Sequence, residues 1–395
     1  MKNTRSITGG VCAPLDFVAG ATGCGIKNGT VTRDDLALIV SKRPASAAGT
    51  FTTNKVKAAP VLISQKHIRK GMARAVILNS GNANACTGEN GLTTASRMAK
   101  AASEKLDVKP EEILVCSTGR IGVPLPVERI EAALPSLQLK RSGSLASAKA
   151  IMTSDTFPKQ IALEVESGGK TFRIGGLAKG AGMIDPNMAT MLCVVTTDAD
   201  ISPAELRKYL RESVENSFNR ITVDGDMSTN DTVIALANGA SGVKPTAAVF
   251  LAALDQVTQT LAKQIVLDGE GVSKFVEVEV KGAATPKDAR LGAEAIANST
   301  LVKCAWAGGD PNWGRIMDAL GYCGAKIKEE IIAIDYDDLP IVRHGLVTST
   351  PWKKLQAVAA KKSFRIQVDL GLGKASHLVW TTDLTEEYVR LNLGE

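Results

Sequence analysis

The sequence predicts an α/β fold, and three observations carry that prediction. Ala75-Val-Ile-Leu78 is a short apolar run that empties into turn formers between Asn79 and Gly88. Thr93 to Leu106 then places apolar residues at helical spacing, and Ile113-Leu-Val-Cys116 repeats the buried-strand pattern before a Ser117-Thr118-Gly119 turn. Strands that discharge into Gly, Ser, Thr and Asn before a helix mark α/β architecture, with functional groups on those loops.

The later elements follow in order. Lys179 to Ala189 reads as a glycine-containing loop ahead of Thr190, and Cys193-Val194-Val195 as a buried strand. Ser202-Pro203-Ala204-Glu205 combines a capping box with proline at the first helical position, which predicts a helix to about Phe218. Ile221 to Thr232 is a polar, acidic loop. Ala247 to Leu267 is a long helix stopped by Asp268-Gly269-Glu270-Gly271, and Phe275 to Lys281 alternates as a half-exposed strand. The pattern breaks at Gly282 to Pro286, so the expected division is 1–284 and a smaller α+β region, 285–395. That region holds a helix from Asp288 to Asn298 and a strand from Phe364 to Leu370. There is no internal repeat.

At 395 residues the chain suits two domains, or one large domain with an appendage. Hydrophobic residues make up 44% and charged residues 22%, which is ordinary for a globular protein, and aromatics only 4%. The net charge of +6 is spread along the chain, which argues against nucleic-acid binding. No apolar run approaches the ~18–20 residues of a membrane span, and the N-terminal stretch is too broken for a secretion signal. Seven scattered cysteines without a C-x-x-C predict buried free thiols and a cytoplasmic location. His67, His344 and His377 lie in no metal motif, so no metal or cofactor is expected and a catalytic base other than histidine is.

Several motifs have bland readings. Gly20-Ala-Thr-Gly-Cys-Gly25 lacks the G-x-G-x-x-G order and reads as a glycine-rich turn rather than a nucleotide site. Asp224, Asp226 and Asp231 do not match a calcium loop and read as a capped surface turn. Asp310-Pro-Asn-Trp-Gly-Arg315 is turn-rich and reads as structural. Thr190 has two readings. It is a good first residue for a strand; it is also a latent nucleophile. A threonine hydroxyl needs an adjacent base, and a chain-terminal threonine carries one in its own α-amine. That amine titrates near ~7.7–8.0. Thr190 gains it if the Ala189–Thr190 bond breaks, through attack of its Oγ on the Ala189 carbonyl by way of a five-membered ring. Small Ala189 and flexible Gly180 and Gly182 permit the strained backbone this requires. The oxyanion needs donors, for which Ser117-Thr118-Gly119 is a candidate.

Gly175-Gly-Leu-Ala-Lys-Gly-Ala-Gly-Met-Ile-Asp-Pro-Asn-Met-Ala-Thr-Met-Leu192 resembles the cleavage signature of the arginine-biosynthesis ornithine acetyltransferases, or glutamate N-acetyltransferases. The same family is resembled, in the same order, by Asn79 to Gly88, Cys116 to Gly119, Ser217 to Asp226, Ser228 to Thr232, Asp268 to Gly271 and Asp310 to Ile316. The resemblance covers essentially the whole chain. It implies a layered sandwich of mixed β-sheets covered by helices, with the smaller C-terminal domain beside it. It also implies self-cleavage between Ala189 and Thr190 into an α chain (1–189) and a β chain (from 190), associated as α2β2.

By the family's pattern Thr190 is the nucleophile, Thr118 and Gly119 form the oxyanion hole, and Thr153, Lys179, Glu270 and Asn392 contact substrate. Charge assigns Lys179 to an α-carboxylate and Glu270 to an ammonium group. The implied chemistry is ping-pong: Thr190 takes acetyl from N²-acetylornithine and passes it to glutamate, with acetyl-CoA left open as a further donor. The family's terminal Ser or Thr pair has no counterpart after Asn392, where Leu393-Gly394-Glu395 follow. Two other functions compete. A related self-processing aminopeptidase or amidase would use the same threonine with water as acceptor, and an unprocessed binding protein would keep Thr190 as a plain strand residue.

Overall fold

A computed structural model describes residues 4–185 and 191–393. The chain forms two compact units. The first runs to Gly180 and takes up 191–219 and Met227–Ile265; the second comprises 181–185, Arg220–Asp226 and 266–393.

The strands of the first unit are β1 (Thr4–Ile7), β2 (Phe17–Thr22), β3 (Leu36–Phe51), β4 (Met72–Asn82), β5 (Ile113–Arg120), β6 (Lys159–Ser167), β7 (Lys170–Lys179), β8 (Leu192–Thr197) and β9 (Thr232–Ala237). They build one mixed sheet in the order β1-β6-β7-β8-β9-β3-β4-β5, with β2 also on β3. β4–β5 and β8–β9 are parallel and the other neighbours antiparallel. β8 and β9 therefore lie in mid-sheet, between β7 and β3.

Alternation sorts the side chains. Ala37, Ile39, Val76, Leu78, Leu114 and Cys116 join one buried cluster, while Leu36, Leu38, Ala75, Ile77, Ile113 and Val115 join another. This part of the sheet is buried on both faces, which is why Ala75–Leu78 reads as an unbroken apolar run. Helices Ala59–His67 and Gly88–Leu106 line the second cluster; helix Ser144–Ala150 lines the first.

The second unit holds a six-stranded sheet: β10 (Phe275–Ala283), β11 (Ala333–Tyr336), β12 (Leu339–Arg343), β13 (Leu346–Val347), β14 (Ser363–Asp369) and β15 (Ala375–Thr382), in the order β13-β12-β11-β14-β10-β15. Val276, Val278 and Val280 of β10 enter a core with Trp306, Tyr336 and Ile366, and the intervening Glu277 and Glu279 stay half-exposed.

The expected boundary at 284 is corrected by this sheet. β10 pairs with β14 and β15 over its length, so the long segment of the second unit starts at Val266, ahead of that strand, and earlier residues (181–185 and Arg220–Asp226) join it. The Ser117-Thr118-Gly119 and Asn79–Asn82 turns are also strand: β4 and β5 stay paired through Gly81 and Gly119. Gly20 lies in β2, where a Cβ would sit 2.2 Å from the Gln138 carbonyl oxygen, so close backbone approach selects glycine there. Not all thiols are buried: the seven cysteines are free, yet Cys86 and Cys304 are exposed. Asn312 accepts from Arg315 N at 3.2 Å and caps the helix Trp313–Tyr322, giving Asp310–Arg315 its structural role. No helix among the described residues is long and apolar enough to cross a membrane.

Candidate active site

In the first unit three expected residues meet. Lys179, the last residue of β7, donates from Nζ to Thr153 Oγ1 at 2.8 Å and to Thr118 Oγ1 at 3.4 Å. Thr118 arrives from β5, and Thr153 from the turn after helix Ser144–Ala150. Both Lys179 and Thr118 are buried. A Thr118 oxygen that accepts from an ammonium keeps its own hydroxyl proton free to donate onward, which is what an oxyanion needs.

Gly119 follows at φ +133°, and an added Cβ would meet the Gly81 carbonyl carbon at 2.3 Å. Glycine is required there on conformation and on space.

A residue that sequence reasoning missed, Asp155, organises this cluster. Its carboxylate pairs with Lys159 at 2.6 Å, stands 4.0 Å from Lys179 Nζ, and accepts from the Gly180 and Thr153 amides at 2.8 and 3.0 Å. Burial opposes its ionisation, but the two lysines and the Gly180 amide overcome this and hold its pKa at about 2. The available signal was a carboxylate two residues after Thr153 and four before a lysine.

The turn 228–232 ties two strands to this site. Asn230 Nδ2 donates to the carbonyls of Ala83 (2.6 Å) and Ser117 (2.9 Å), the latter just before Thr118. Asp231 Oδ1 accepts from Met191 N at 2.9 Å, and Thr232 N donates to Met191 O at 3.1 Å. Asp231 is thus completely buried, which corrects the surface-turn expectation. Ala189 and Thr190 lie outside the described residues.

In the second unit Glu270 and Asn392 meet: Asn392 Nδ2 donates to Glu270 Oε2 at 3.0 Å and to the Tyr388 carbonyl at 2.9 Å. The Glu270 amide donates to Ala181 O, and Gly182 lies so near that a Cβ would sit 2.4 Å from Glu270 Cδ. Asp224 fastens the same segment, accepting from the Met183 and Ile184 amides at 2.6 and 2.8 Å and from Tyr388 Oη at 3.2 Å. Gly394 and Glu395 lie outside the described residues.

A profile described as the ArgJ family matches residues 18–394. An arginine biosynthesis bifunctional protein ArgJ from Symbiobacterium thermophilum is 47% identical, with 98% of each chain covered. A glutamate N-acetyltransferase from Methanocaldococcus jannaschii is 45% identical, again with 98% of each covered. The crystal structure of an arginine biosynthesis bifunctional protein argJ from Bacillus halodurans matches with a TM-score of 0.50 and 39% identity, over 51% of this chain and 98% of its own.

Proposed function

Since the chain belongs to the ArgJ family, we propose that it is the glutamate N-acetyltransferase of arginine biosynthesis, matured by self-cleavage at Ala189–Thr190. The observation that carries the reading is the meeting of Lys179, Thr118 and Thr153 at one end of β5 and β7, with Met191 clamped by the next turn. The half-length of the solved Bacillus halodurans chain supports the cleavage, because a break after Ala189 also leaves pieces of about half.

In this reading Thr190 Oγ attacks the acetyl carbonyl of N²-acetylornithine while its amine takes the hydroxyl proton. Thr118 and Gly119 receive the oxyanion, the C–N bond breaks, and the proton leaves on the ornithine nitrogen. The glutamate amine then attacks the acetyl-Thr190 ester and restores the hydroxyl. Taken within its own unit, Lys179 beside Thr153 suits a substrate carboxylate, and Glu270 tied to Asn392 suits an ammonium group. Donor and acceptor share an α-amino-acid core, so the same groups serve both half-reactions. The proposed mature form is an α2β2 assembly in the cytoplasm.

The denatured mass and N-terminal sequence test this reading. Two fragments of similar size, one starting Thr-Met-Leu-Cys, are expected from the wild type, and a single 41.5 kDa chain from Thr190→Ala. Transfer from N²-acetylornithine to glutamate, with and without acetyl-CoA, completes the assay. An uncut wild type, or acetyl released only to water, would refute it.

A further inference from the structure

We propose that a cavity at the carboxyl ends of β4 and β5, lined by Lys27, Arg120 and Arg129, is a binding site for a small phosphate-bearing molecule. The proposal goes beyond acetyl transfer and does not depend on the reading of Thr190. The cavity measures about 280 Å³, near the lower end for small-molecule sites. β4 and β5 run parallel, and the crevice outside the carboxyl ends of such strands is where α/β sheets take up ligands.

Its charge points to the ligand class. Three cations reach the cavity from three segments of the first unit: Lys27 from the loop after β2, Arg120 from the last position of β5, and Arg129 from the helix Val127–Ala133. Among the described residues no aspartate or glutamate lines it. The side chains of Lys27 and Arg120 have neither a hydrogen bond nor an ion pair among those residues. Arg129 spends one N–H on the Gly25 carbonyl, at 2.7 Å, and keeps its other donors. Glu128, its neighbour in the chain, is engaged by Arg97 at 2.7 Å. Three like charges around one cavity repel each other. A phosphate group, with up to two negative charges and several acceptor oxygens, relieves that repulsion more fully than a single carboxylate does.

The surrounding backbone holds these cations in place. Asp35 accepts from the Cys24 and Ile26 amides at 2.6 and 2.7 Å and so fixes the loop that carries Lys27. Gly29 sits at φ +79°, and a Cβ there would stand 3.0 Å from Arg129 Nη2, so glycine leaves the guanidinium its room. Asn82 Nδ2 donates to the Val123 and Pro124 carbonyls at 3.1 and 3.3 Å, and Ala83 N to Arg120 O at 2.9 Å. The segment after β5 is thereby fastened to the end of β4. Val123, Pro124 and Pro126 add an apolar wall, which gives the organic part of a phosphate ester a surface beside the donors for its phosphate.

Calorimetric titration of the purified protein, cut or whole, with inorganic diphosphate and with ADP in magnesium-free buffer tests the site. Saturable binding of one equivalent per chain is expected, and added salt should weaken it. Lys27→Gln and Arg120→Gln should each reduce the affinity about tenfold, through the loss of one charge-assisted contact. Both side chains are exposed, so each variant should keep the wild-type melting temperature. ADP bound more tightly than diphosphate would assign the site to a phosphate ester; equal affinities would assign it to the free anion. Failure of both probes to bind, affinities unchanged in the two variants, or displacement by succinate as readily as by diphosphate would each overturn the proposal.

Discussion

Lys179 of the first unit and Lys303 of the second are both almost fully buried, at 2% and 3% exposure, but their surroundings differ in charge. Around Lys179 the structure places a second buried lysine, Lys159, and a carboxylate, Asp155, that reaches both. Lys303 donates instead to neutral groups: the Thr382 carbonyl at 2.5 Å, Thr382 Oγ1 at 3.1 Å and Thr381 Oγ1 at 3.2 Å. Burial, only partly opposed by the more distant Asp383 and Asp224, lowers its pKa to about 7. The contrast separates two uses of an interior amine. The first unit ties its buried ammonium groups to a carboxylate, so they stay in a charged cluster. The second unit spends its amine on fastening β15 to the helix Thr300–Ala307, at the cost of a proton.

Removing the shared carboxylate is the strongest way to break this comparison. Asp155→Asn leaves two buried lysines facing each other and should lower stability by about 3–5 kcal/mol, read as a fall in the urea midpoint at unchanged slope. Lys179→Met comes next. Asp155 keeps Lys159, so the fold should hold, while kcat/KM for acetyl transfer drops about a hundredfold, the loss of roughly 3 kcal/mol of charge-assisted binding.

Titrating stability against pH sharpens the second half. The folded pKa of Lys303 lies below its ordinary 10.5, so between about pH 7 and 10.5 the unfolded chain binds the extra proton. Its contribution therefore makes stability rise with pH across that window, by up to about 1.4 kcal/mol per pH unit, and flatten below pH 7 where both states are protonated. Lys303→Met should remove that slope, with a constant loss of about 1–3 kcal/mol for the acceptors left unpaired. A slope that survives the substitution would assign it to other groups.

Local patterns were legible in the sequence to the extent that neighbours in the chain decide them. The helix Ala247–Leu267 is found where its periodicity placed it, and the Ser202 capping box forms, Glu205 N donating to Ser202 Oγ and Ser202 N to Glu205 Oε2. The helix after it ends earlier than expected, at Glu215, and the one before Ile113 starts earlier, at Gly88, because caps and turns there do not follow the apolar stripe. β3 was not legible at all. Its second half, Ala45-Ser-Ala-Ala-Gly-Thr-Phe51, is rich in small residues with little strand propensity, and pairing with β9, joined at Ala45 and Ser46 by pairing with β4, makes it a strand.

The site shows the same limit. Thr118, Thr153 and Lys179 are far apart in sequence; the strand-then-turn pattern offered Thr118, and the resemblance to a family singled out Thr153 and Lys179. Asp155 escaped notice and Asp231 read as part of a surface turn because a carboxylate in a polar stretch reads as solvated until tertiary burial shows otherwise.

The order of the first sheet carries a further consequence. β8 and β9 follow residue 190, while their outer neighbours β7 and β3 precede it. Cutting the chain at that point makes one sheet the joint property of two polypeptides, with the strands of the newer chain enclosed by those of the older. Such partners cannot dissociate as folded bodies. Their separation is unfolding, and the midpoint of that transition acquires a dependence on protein concentration that the uncut chain does not have.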